Sequence, residues 1–338
     1  MSASSTVEQP VERHLNRSLK LFDSTMIVAG SMIGSGIFLV TAQMARELGS
    51  TGWLLFTWVI TAALTLAAAL SYGELAAMLP HAGGQYVYLR EAFSPLAGFL
   101  YGWTLFLVIQ TGIIAAVAVG FARYLGVLVP GISDSIYIVE PFRILPGYAL
   151  SLSTAQLVAI LVIAVITLVN ASGLRNGKLV QNVFTVSKLG ALALVILIGL
   201  TIGANPTALH LNFSHPFATQ TAALVSSGPN AGTRAPLLIA LCLAQVGSLF
   251  AADAWNNITF TAGEVVNPKR NLALSLTIGT LLVMVLYFFA NLAFTMVLPL
   301  DKIAHAPADR VGGAMLEAVY PGIGGRIIAF VILIAAVG

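Results

Sequence analysis

Charged residues are scarce in this sequence of 338 residues: they make up 9% of it, whereas apolar residues make up 58%. A soluble domain usually carries about 25% charged residues, so most of the surface of this chain must face lipid. The mean hydropathy of +0.92 supports the same conclusion. The composition therefore predicts an integral membrane protein.

Cysteine, clustered basic residues and metal-binding motifs are also scarce. The single cysteine, Cys242, lies in an apolar run, which excludes a disulfide framework within the chain. The net charge of +3 is spread along the sequence, without the basic stripe that nucleic-acid binding needs. The five histidines lack metal-ligand spacing, and no H-E-x-x-H, Walker or nucleophile-elbow sequence occurs. We therefore expect no metal, no cofactor, no nucleic-acid partner and no enzymatic activity.

Long apolar runs are what the sequence does contain. A bilayer core about 30 Å thick needs roughly 20 helical residues, and seven runs are long enough. An eighth run begins at Arg326, and its 13 residues up to Gly338 would reach only about 20 Å, so the chain looks cut off within a span. The seven predicted spans are about 22–42, 53–79, 96–126, 153–170, 179–203, 236–262 and 272–298.

The distribution of lysine and arginine predicts a cytoplasmic N-terminus. With that orientation, the short inner connections carry eight of these residues and the longer outer loops carry five. No small-residue cleavage site follows the first apolar run, so we interpret that run as a retained helix. The sequence therefore predicts a multi-pass protein of the cytoplasmic membrane.

Two of the predicted spans contain glycine and serine near their middle. Span 1 contains IGSGIF, from Ile33 to Phe38, and span 6 contains VGSLF, from Val246 to Phe250. Interrupted helices at corresponding places in two halves of opposite orientation are typical of a secondary transporter's binding site. A break exposes N–H groups, which suit a carboxylate, and carbonyls, which suit an ammonium group. A zwitterionic amino acid carries both groups.

A simpler interpretation of the first motif is close helix packing. Gly30 and Gly34 form a G-x-x-x-G pair, which often lets two membrane helices approach each other. For span 1 alone, packing explains the glycines as well as a broken helix does. The second occurrence, in span 6, favours the broken helix.

Four segments, two of which overlap these motifs, carry a family resemblance. They are MIGSGIF in span 1, YGELAAMLPHAGGQYVYLREAFSPLAGFLYGW across 72–103, NASGLRNGKLVQNVFTVSKLGALAL across 170–194, and SLFAADAWNNITFTAGEVVNPKRNL across 248–272. In this order they resemble the amino acid/polyamine/organocation (APC) superfamily of permeases, and most closely the L-type amino acid transporter branch. The similarity runs from about residue 18 to the end of the chain.

The resemblance implies an all-α integral membrane fold of the leucine-transporter type (LeuT-like), with ten core helices in two inverted repeats of five. Residues 22–203 would form the first repeat, and residues 236–338 part of the second. Residues 1–21 would form a cytoplasmic segment, and 204–235 an outer loop. The segment 80–95 resembles the family's inner loop, so we expect an amphipathic helix there; the alternative is a plain connector.

The resemblance also implies roles for residues of both interruptions. The substrate carboxylate would meet the backbone N–H groups of Ser35 and Gly36, with Gly34 beside them. Phe250 matches a residue that gates the site from outside; the alternative is an ordinary packing residue. The substrate amino group would meet backbone carbonyls of Met32, Ile33, Phe250, Ala251 and Asp253.

Lys188 lies about 13 Å into span 5, too deep for its side chain to reach the surface comfortably. A buried ionisable residue within a membrane span indicates function. The sequence VSKLG resembles a family motif whose lysine faces the interruption of span 1, where sodium-coupled relatives of the fold hold sodium. We expect the ammonium group to replace that cation, without sodium dependence. Alternatively the lysine carries a coupled proton or is purely structural.

Two carboxylates remain: Asp253 has several possible roles, and Asp23 has a structural one. Asp253 departs from the glycine that many L-type relatives have there. It would cap the second half of span 6, bind a substrate ammonium group or pair with Lys188, and we favour the cap. Asp23 is expected to cap span 1. Asp253 leaves a cationic substrate open, whereas the apolar surroundings of both interruptions favour a neutral amino acid.

These features predict a secondary transporter that moves amino acids by alternating access, as an exchanger or with protons. The alternative is a non-transporting membrane protein, such as a fragment, sensor or binding module, that retains the amino acid site. The loop at about 127–152 lacks the cysteine through which animal L-type transporters join a glycoprotein, so no disulfide-linked heavy chain is expected. Homo-oligomerisation stays open.

Overall fold

The computed structural model describes residues 17–145, 148–171, 174–218 and 236–337, and helices dominate these ranges. Six of the described helical segments are long and apolar enough to cross a membrane, and two shorter apolar helices accompany them. The prediction of a helical membrane protein is therefore confirmed. The six long segments are Thr51–Met78, Pro95–Leu128, Thr154–Ala171, Leu179–Leu200, Leu237–Glu264 and Pro268–Val297.

The elements follow the predicted spans with additions between them. Short 3₁₀ helices cover Gly36–Phe38, Trp255–Glu264 and Pro307–Asp309, and a π-helical segment covers Leu105–Gln110. The α-helices are α1 (Leu21–Met32), α2 (Val40–Leu48), α3 (Thr51–Met78), α4 (Gln85–Ala92), α5 (Pro95–Thr104), α6 (Thr111–Leu128), α7 (Thr154–Ala171), α8 (Leu174–Leu200), α9 (Pro206–Phe213), α10 (Leu237–Ala251), α11 (Pro268–Val297), α12 (Leu300–Ala304), α13 (Val311–Val319) and α14 (Gly324–Val337).

The connection between spans 3 and 4 contains secondary structure that the sequence did not predict. It contains an antiparallel hairpin of β1 (Tyr137–Leu145) and β2 (Tyr148–Ser153). The first strand is rich in β-branched and aromatic residues, which favour extended backbone. The hairpin lies outside the helical core, so the all-α description holds for the membrane-spanning part.

Small residues allow the central helices α1, α3 and α11 to pack closely. A Cβ added to Gly279 of α11 would lie 2.6 Å from a methyl carbon of Val28 in α1. A Cβ added to Gly73 of α3 would lie 3.2 Å from the Cα of Ala273 in α11. Because lipid is as apolar as the side chains, such close contact is a main source of helix association in membranes.

Backbone pairing joins the start of span 1 to the end of span 6, and we call this side of the bundle the Leu19 end. Leu19 and Val265 form a parallel bridge, and the Leu19 N–H donates to the Glu264 carbonyl at 3.0 Å. The predicted helix within 80–95 is confirmed as α4, and the Gly83 N–H donates to the Phe260 carbonyl at 3.1 Å.

Side chains fix span 1 at both of its ends. Asp23 accepts a hydrogen bond from the Lys20 N–H at 2.9 Å, which confirms that it caps α1, and a second one from Asn182 at 2.8 Å. At the opposite side of the bundle, the Arg46 guanidinium donates to Asp309 and to the Ala304 carbonyl, each at 2.7 Å. We call this side the Arg46 end.

Candidate functional site

The interruption of span 1 lies at the predicted place. Helix α1 ends at Met32, Ile33 takes an extended conformation (φ −78°, ψ 101°), and α2 begins at Val40 after a 3₁₀ turn. The Ile33 N–H still donates to the Ala29 carbonyl at 3.1 Å. Beyond that bond, the carbonyls of the last turn of α1 lose the N–H donors that a continuous helix would supply.

Side chains from two other helices replace two of the missing donors. The Lys188 ammonium of α8 donates to the Gly30 carbonyl at 2.9 Å, and the Tyr287 hydroxyl of α11 donates to the Met32 carbonyl at 2.7 Å. In a continuous helix these carbonyls would accept from the N–H groups four residues later. Lys188 is 3% exposed and Tyr287 is fully buried. The structure thus places Lys188 against span 1, as the resemblance implies.

A cavity of about 170 Å³ lies beside this interruption. It is smaller than the roughly 300–1,000 Å³ pockets that hold drug-sized ligands, so its size suits a small solute. Lys188 supplies a charge at its wall, and helices α6 and α14 supply mostly apolar surface. The lining consists of Gly30, Ser31, Ile33, Gly34, Ser35, Val117, Gly120, Phe121, Lys188, Ile332 and Ala335.

Unused backbone groups lie at or beside the cavity. Within the described ranges, no hydrogen-bond partner reaches the carbonyls of Ser31 and Ile33 or the N–H groups of Ser35 and Gly36. Buried backbone groups are almost always paired in folded proteins. The exposed ends of the two half-helices therefore offer acceptors and donors to a bound molecule.

The Gly30 and Gly34 pair combines both interpretations of the G-x-x-x-G motif. A Cβ added to Gly30 would lie 2.6 Å from the Gln181 side-chain nitrogen and would also overlap Thr185, so this glycine allows α1 to approach α8. A Cβ added to Gly34 would meet no atom within 4 Å. Both glycines border the cavity, but only Gly30 is also needed for close helix packing.

The interruption of span 6 begins later than the glycine-serine motif suggested. Helix α10 continues through Gly247 and Ser248 and ends at Ala251. Ser248 is fully buried and its hydroxyl lies 2.7 Å from that of Thr61, a contact that fits a continuous helix at this point. The break follows Ala251, and Ala254 takes a left-handed conformation (φ 67°) before the 3₁₀ helix begins.

The prediction that Asp253 caps the second half of span 6 is wrong. Ala254 occupies the capping position of the following helix, and no side chain caps it. Asp253 is exposed, and the described contacts of the Lys188 ammonium lead to Gly30 instead of this carboxylate. Its backbone N–H donates to the Phe250 carbonyl at 3.3 Å.

Several predicted site residues lie outside the cavity lining. Met32 is buried, and its carbonyl accepts from Tyr287. Ala251 touches the interruption of span 1, because a Cβ added to Gly36 would lie 3.3 Å from the Ala251 Cβ. Phe250 is 72% exposed, so no described side chain packs over its ring closely. The structure therefore brings the two interruptions into contact, and the cavity lies at the interruption of span 1.

Sequence reasoning missed Ser31, the α6 and α14 lining residues, and Tyr287. A signal for Tyr287 was present in the sequence, because it and Asn291 are polar groups in the middle of the apolar run 272–298. Polar side chains within membrane helices commonly bond to neighbouring helices. The lining residues on α6 and α14 are apolar or glycine, and nothing distinguishes them from lipid-facing residues in the sequence.

Comparisons with known proteins agree with this architecture. A family model described as amino acid permease matches residues 19–338. Over 298 residues the chain is 31% identical to the b(0,+)-type amino acid transporter 1 of Mus musculus, an alignment covering 88% of this chain and 55% of that protein. Over 280 residues it is 32% identical to the large neutral amino acids transporter small subunit 2 of Homo sapiens, covering 83% and 47%. The chain spans about half the length of the curated relatives it matches. It belongs to the amino acid permease family, within the APC superfamily.

Proposed function

We propose that this chain carries the substrate site of an amino acid permease, which moves amino acids across a membrane by alternating access. One observation carries the proposal: the cavity at the interruption of span 1 is lined by Ser31, Ile33 and Ser35, whose backbone carbonyls or N–H group have no described hydrogen-bond partner, and by the buried Lys188 ammonium group. Membership of the permease family supports it.

In the proposed complex, the two ends of the interruption hold the two charged groups of the substrate. The N–H groups of Ser35 and Gly36 bind the carboxylate, as helix starts bind anions. The carbonyls of Ile33 and Ser31 bind the ammonium group, and the Met32 carbonyl is left to Tyr287. A carboxylate in the cavity would also be attracted by the Lys188 ammonium, which stands in its wall.

The apolar part of the lining supports a neutral amino acid as substrate. Val117, Phe121 and Ile332 border the cavity, and they suit an uncharged side chain. Asp253, which left a cationic substrate open, is exposed and lies outside this lining. We therefore propose a neutral amino acid.

We further propose that transport is independent of sodium. The Lys188 ammonium already donates to the Gly30 carbonyl, an oxygen of the kind that coordinates alkali cations. A sodium ion at the same place would meet like-charge repulsion in a region of low dielectric. Whether the lysine also carries a coupled proton, or whether the protein exchanges amino acids, stays a prediction.

The remaining expectations also belong to this proposal. They are an outer gate at Phe250, substrate contacts with the carbonyls of Phe250, Ala251 and Asp253, and a cytoplasmic N-terminus in the cytoplasmic membrane. We propose no disulfide to a partner through residues 127–152, because that loop contains no cysteine. Homo-oligomerisation stays open.

The proposal is tested by uptake of labelled neutral and cationic amino acids into proteoliposomes. The chain is compared with a version joined to the remaining helices of a relative, because it spans about half of its relatives' length. Each is assayed in sodium and in choline buffer, and counterflow from preloaded vesicles separates exchange from proton-driven uptake. We expect uptake of neutral amino acids at equal rates in both buffers.

Ser35→Pro provides a sharp variant for this assay. Ser35 has φ −69°, the value that proline prefers, so the substitution removes one N–H with little backbone strain. We expect normal folding with loss of uptake and binding. Binding without transport, by both versions, would instead favour the binding-module alternative. No binding by either version in a folded sample would contradict the amino acid site.

A further inference from the structure

Two polar side chains of α11 contact span 1 on both sides of its interruption. Tyr287 donates to the Met32 carbonyl at 2.7 Å, at the end of α1. Asn291, one helical turn later, accepts from the Thr41 hydroxyl at 2.7 Å, near the start of α2. One helix thus holds both halves of the broken span.

We infer that Tyr287 and Asn291, which we call the α11 brace, are positioning residues that set the distance and direction between the two halves of span 1. The proposed carboxylate donors, Ser35 and Gly36, and the acceptor carbonyl of Ile33 lie between these two contacts in the chain. The brace therefore determines whether both ends of a zwitterion are reached together, and this consequence for binding rests on the proposed function.

The side chains of the α11 brace are held in place by burial and by contacts with their neighbours. Tyr287, Asn291 and Thr41 are all fully buried. The Asn291 amide nitrogen donates to the Tyr287 carbonyl at 2.9 Å, which directs its oxygen towards Thr41. The Tyr287 ring stands edge-on to Trp58 with 5.6 Å between ring centroids. In a water-free region an unmade hydrogen bond is costly, so these pairings resist exchange for others.

Lys188 differs from the α11 brace in the part of span 1 that it contacts. Its described hydrogen bond reaches Gly30, in the first half of span 1 only. It can hold that half against α8 without fixing the second half. The α11 brace contacts both halves through Met32 and Thr41, and so it sets their relative placement.

The inference is tested by the accessibility of a cysteine in the interruption. Cys242, the single cysteine, is replaced by serine, and Gly34→Cys then supplies one reactive thiol. Gly34 suits the probe because a Cβ there meets no atom within 4 Å and the residue is half-buried. The rate of modification by a small thiol reagent in detergent reports the opening of the interruption without any substrate.

Tyr287→Phe and Thr41→Val each remove one hydroxyl from the brace contacts. We expect each to raise the labelling rate about fivefold, which corresponds to the loss of one buried hydrogen bond. Thr41→Ser keeps the hydroxyl and should restore the original rate. Should Tyr287→Phe fail to fold, the Thr41→Val and Thr41→Ser pair decides the question.

Two matched controls come from buried hydroxyls without a hydrogen-bond partner in the described part of the chain. Tyr124→Phe matches the tyrosine substitution, and Thr280→Val matches the threonine substitution within α11 itself. Both should leave the labelling rate unchanged. Equal labelling of the brace variants and these controls would overturn the inference.

Amino acid binding, measured separately with Gly34 and Cys242 intact, distinguishes this inference from the proposed function. If the brace positions the site, Tyr287→Phe and Thr41→Val raise the Kd about fivefold, whereas the two controls do not. Altered labelling in a protein that binds no amino acid would uphold the brace and contradict the proposed function. Unaltered labelling with intact binding would contradict the brace alone.

Discussion

The two interrupted spans differ in what holds them open. In span 1, the end of α1 is bonded by the side chains of Lys188 and Tyr287, and a cavity lies beside the break. In span 6, the break follows Ala251 without a side-chain cap, and the chain turns through the left-handed residue Ala254. One interruption is stabilised by partners on other helices, and the other by a local turn.

The comparison teaches that the glycine-serine motif alone does not locate a break. Gly34 and Ser35 lie in the interruption, because the groups that would continue the helix are replaced by side chains from α8 and α11. Gly247 and Ser248 stay helical, with Ser248 paired to Thr61 of α3. Tertiary partners hold span 1 open and keep Ser248 helical, and in this way they override the local propensity of the motif.

Among the variants that compare the two interruptions, replacing Lys188 should have the largest effect on amino acid binding. Lys188→Met keeps an unbranched side chain but leaves the Gly30 carbonyl without its donor. We therefore expect amino acid binding to weaken at least about tenfold, in line with the roughly 1.5–3 kcal/mol of a charged hydrogen bond. Gln245→Met is the matched control at span 6, where Gln245 donates to Thr61 at 2.7 Å. Equilibrium binding of a labelled amino acid compares them, and equal losses would contradict the distinction between the interruptions.

Alanine at each glycine of the pair separates packing from binding within span 1. Gly30→Ala forces Gln181 and Thr185 to move, and overpacking of this kind costs about 1–3 kcal/mol, so thermal unfolding in detergent should occur at lower temperature. Gly34→Ala should leave the unfolding temperature unchanged and weaken amino acid binding, because the new methyl group enters the cavity. The opposite pattern would show that Gly34 serves packing.

A glycine at the turn of span 6 should stabilise the protein modestly. Ala254 has φ 67°, a conformation that costs an L-residue about 1–2 kcal/mol and glycine much less. Ala254→Gly should therefore raise the unfolding temperature slightly. Ala252→Gly is the control, since Ala252 has φ −90° and should gain nothing. A loss of stability at Ala254→Gly would mean that its methyl group supports the interruption.

The smallest effect is expected at an exposed site, where the Glu317 side chain accepts hydrogen bonds from backbone N–H groups. Backbone N–H groups of Gly322 and Gly325 donate to the Glu317 carboxylate and hold its pKa below the ordinary 4.5. A lowered pKa in the folded state stabilises the protein above the unfolded pKa, and this contribution disappears as pH falls through the folded pKa. At neutral pH the wild-type protein should therefore have a slightly higher unfolding temperature than Glu317→Gln. This difference in unfolding temperature should vanish in acid. A difference that persists in acid would point to another cause.

The sequence predicted the interruption of span 1, the depth of Lys188 and the cap at Asp23 from local patterns and from depth in the bilayer. The position of Lys188 against span 1 was implied by the family resemblance. It did not predict the start of the span 6 break, which depends on the buried contact between Ser248 and Thr61. It also did not predict the roles of Tyr287 and Asn291, because their partners lie some 250 residues away in the chain. Their polarity within an apolar run indicated contacts with other helices, but the sequence pattern did not show which residues those contacts reach.

The most direct test of the central claim is competition for binding. Labelled leucine bound to the purified chain is displaced by unlabelled leucine or by one of two analogues. Leucine methyl ester lacks the carboxylate, and 4-methylpentanoate lacks the ammonium group. If the interruption of span 1 holds both ends of a zwitterion, unlabelled leucine should displace the label at least about tenfold better than either analogue, since each missing charged hydrogen bond costs roughly 1.5–3 kcal/mol. Equal displacement by all three compounds would contradict the account.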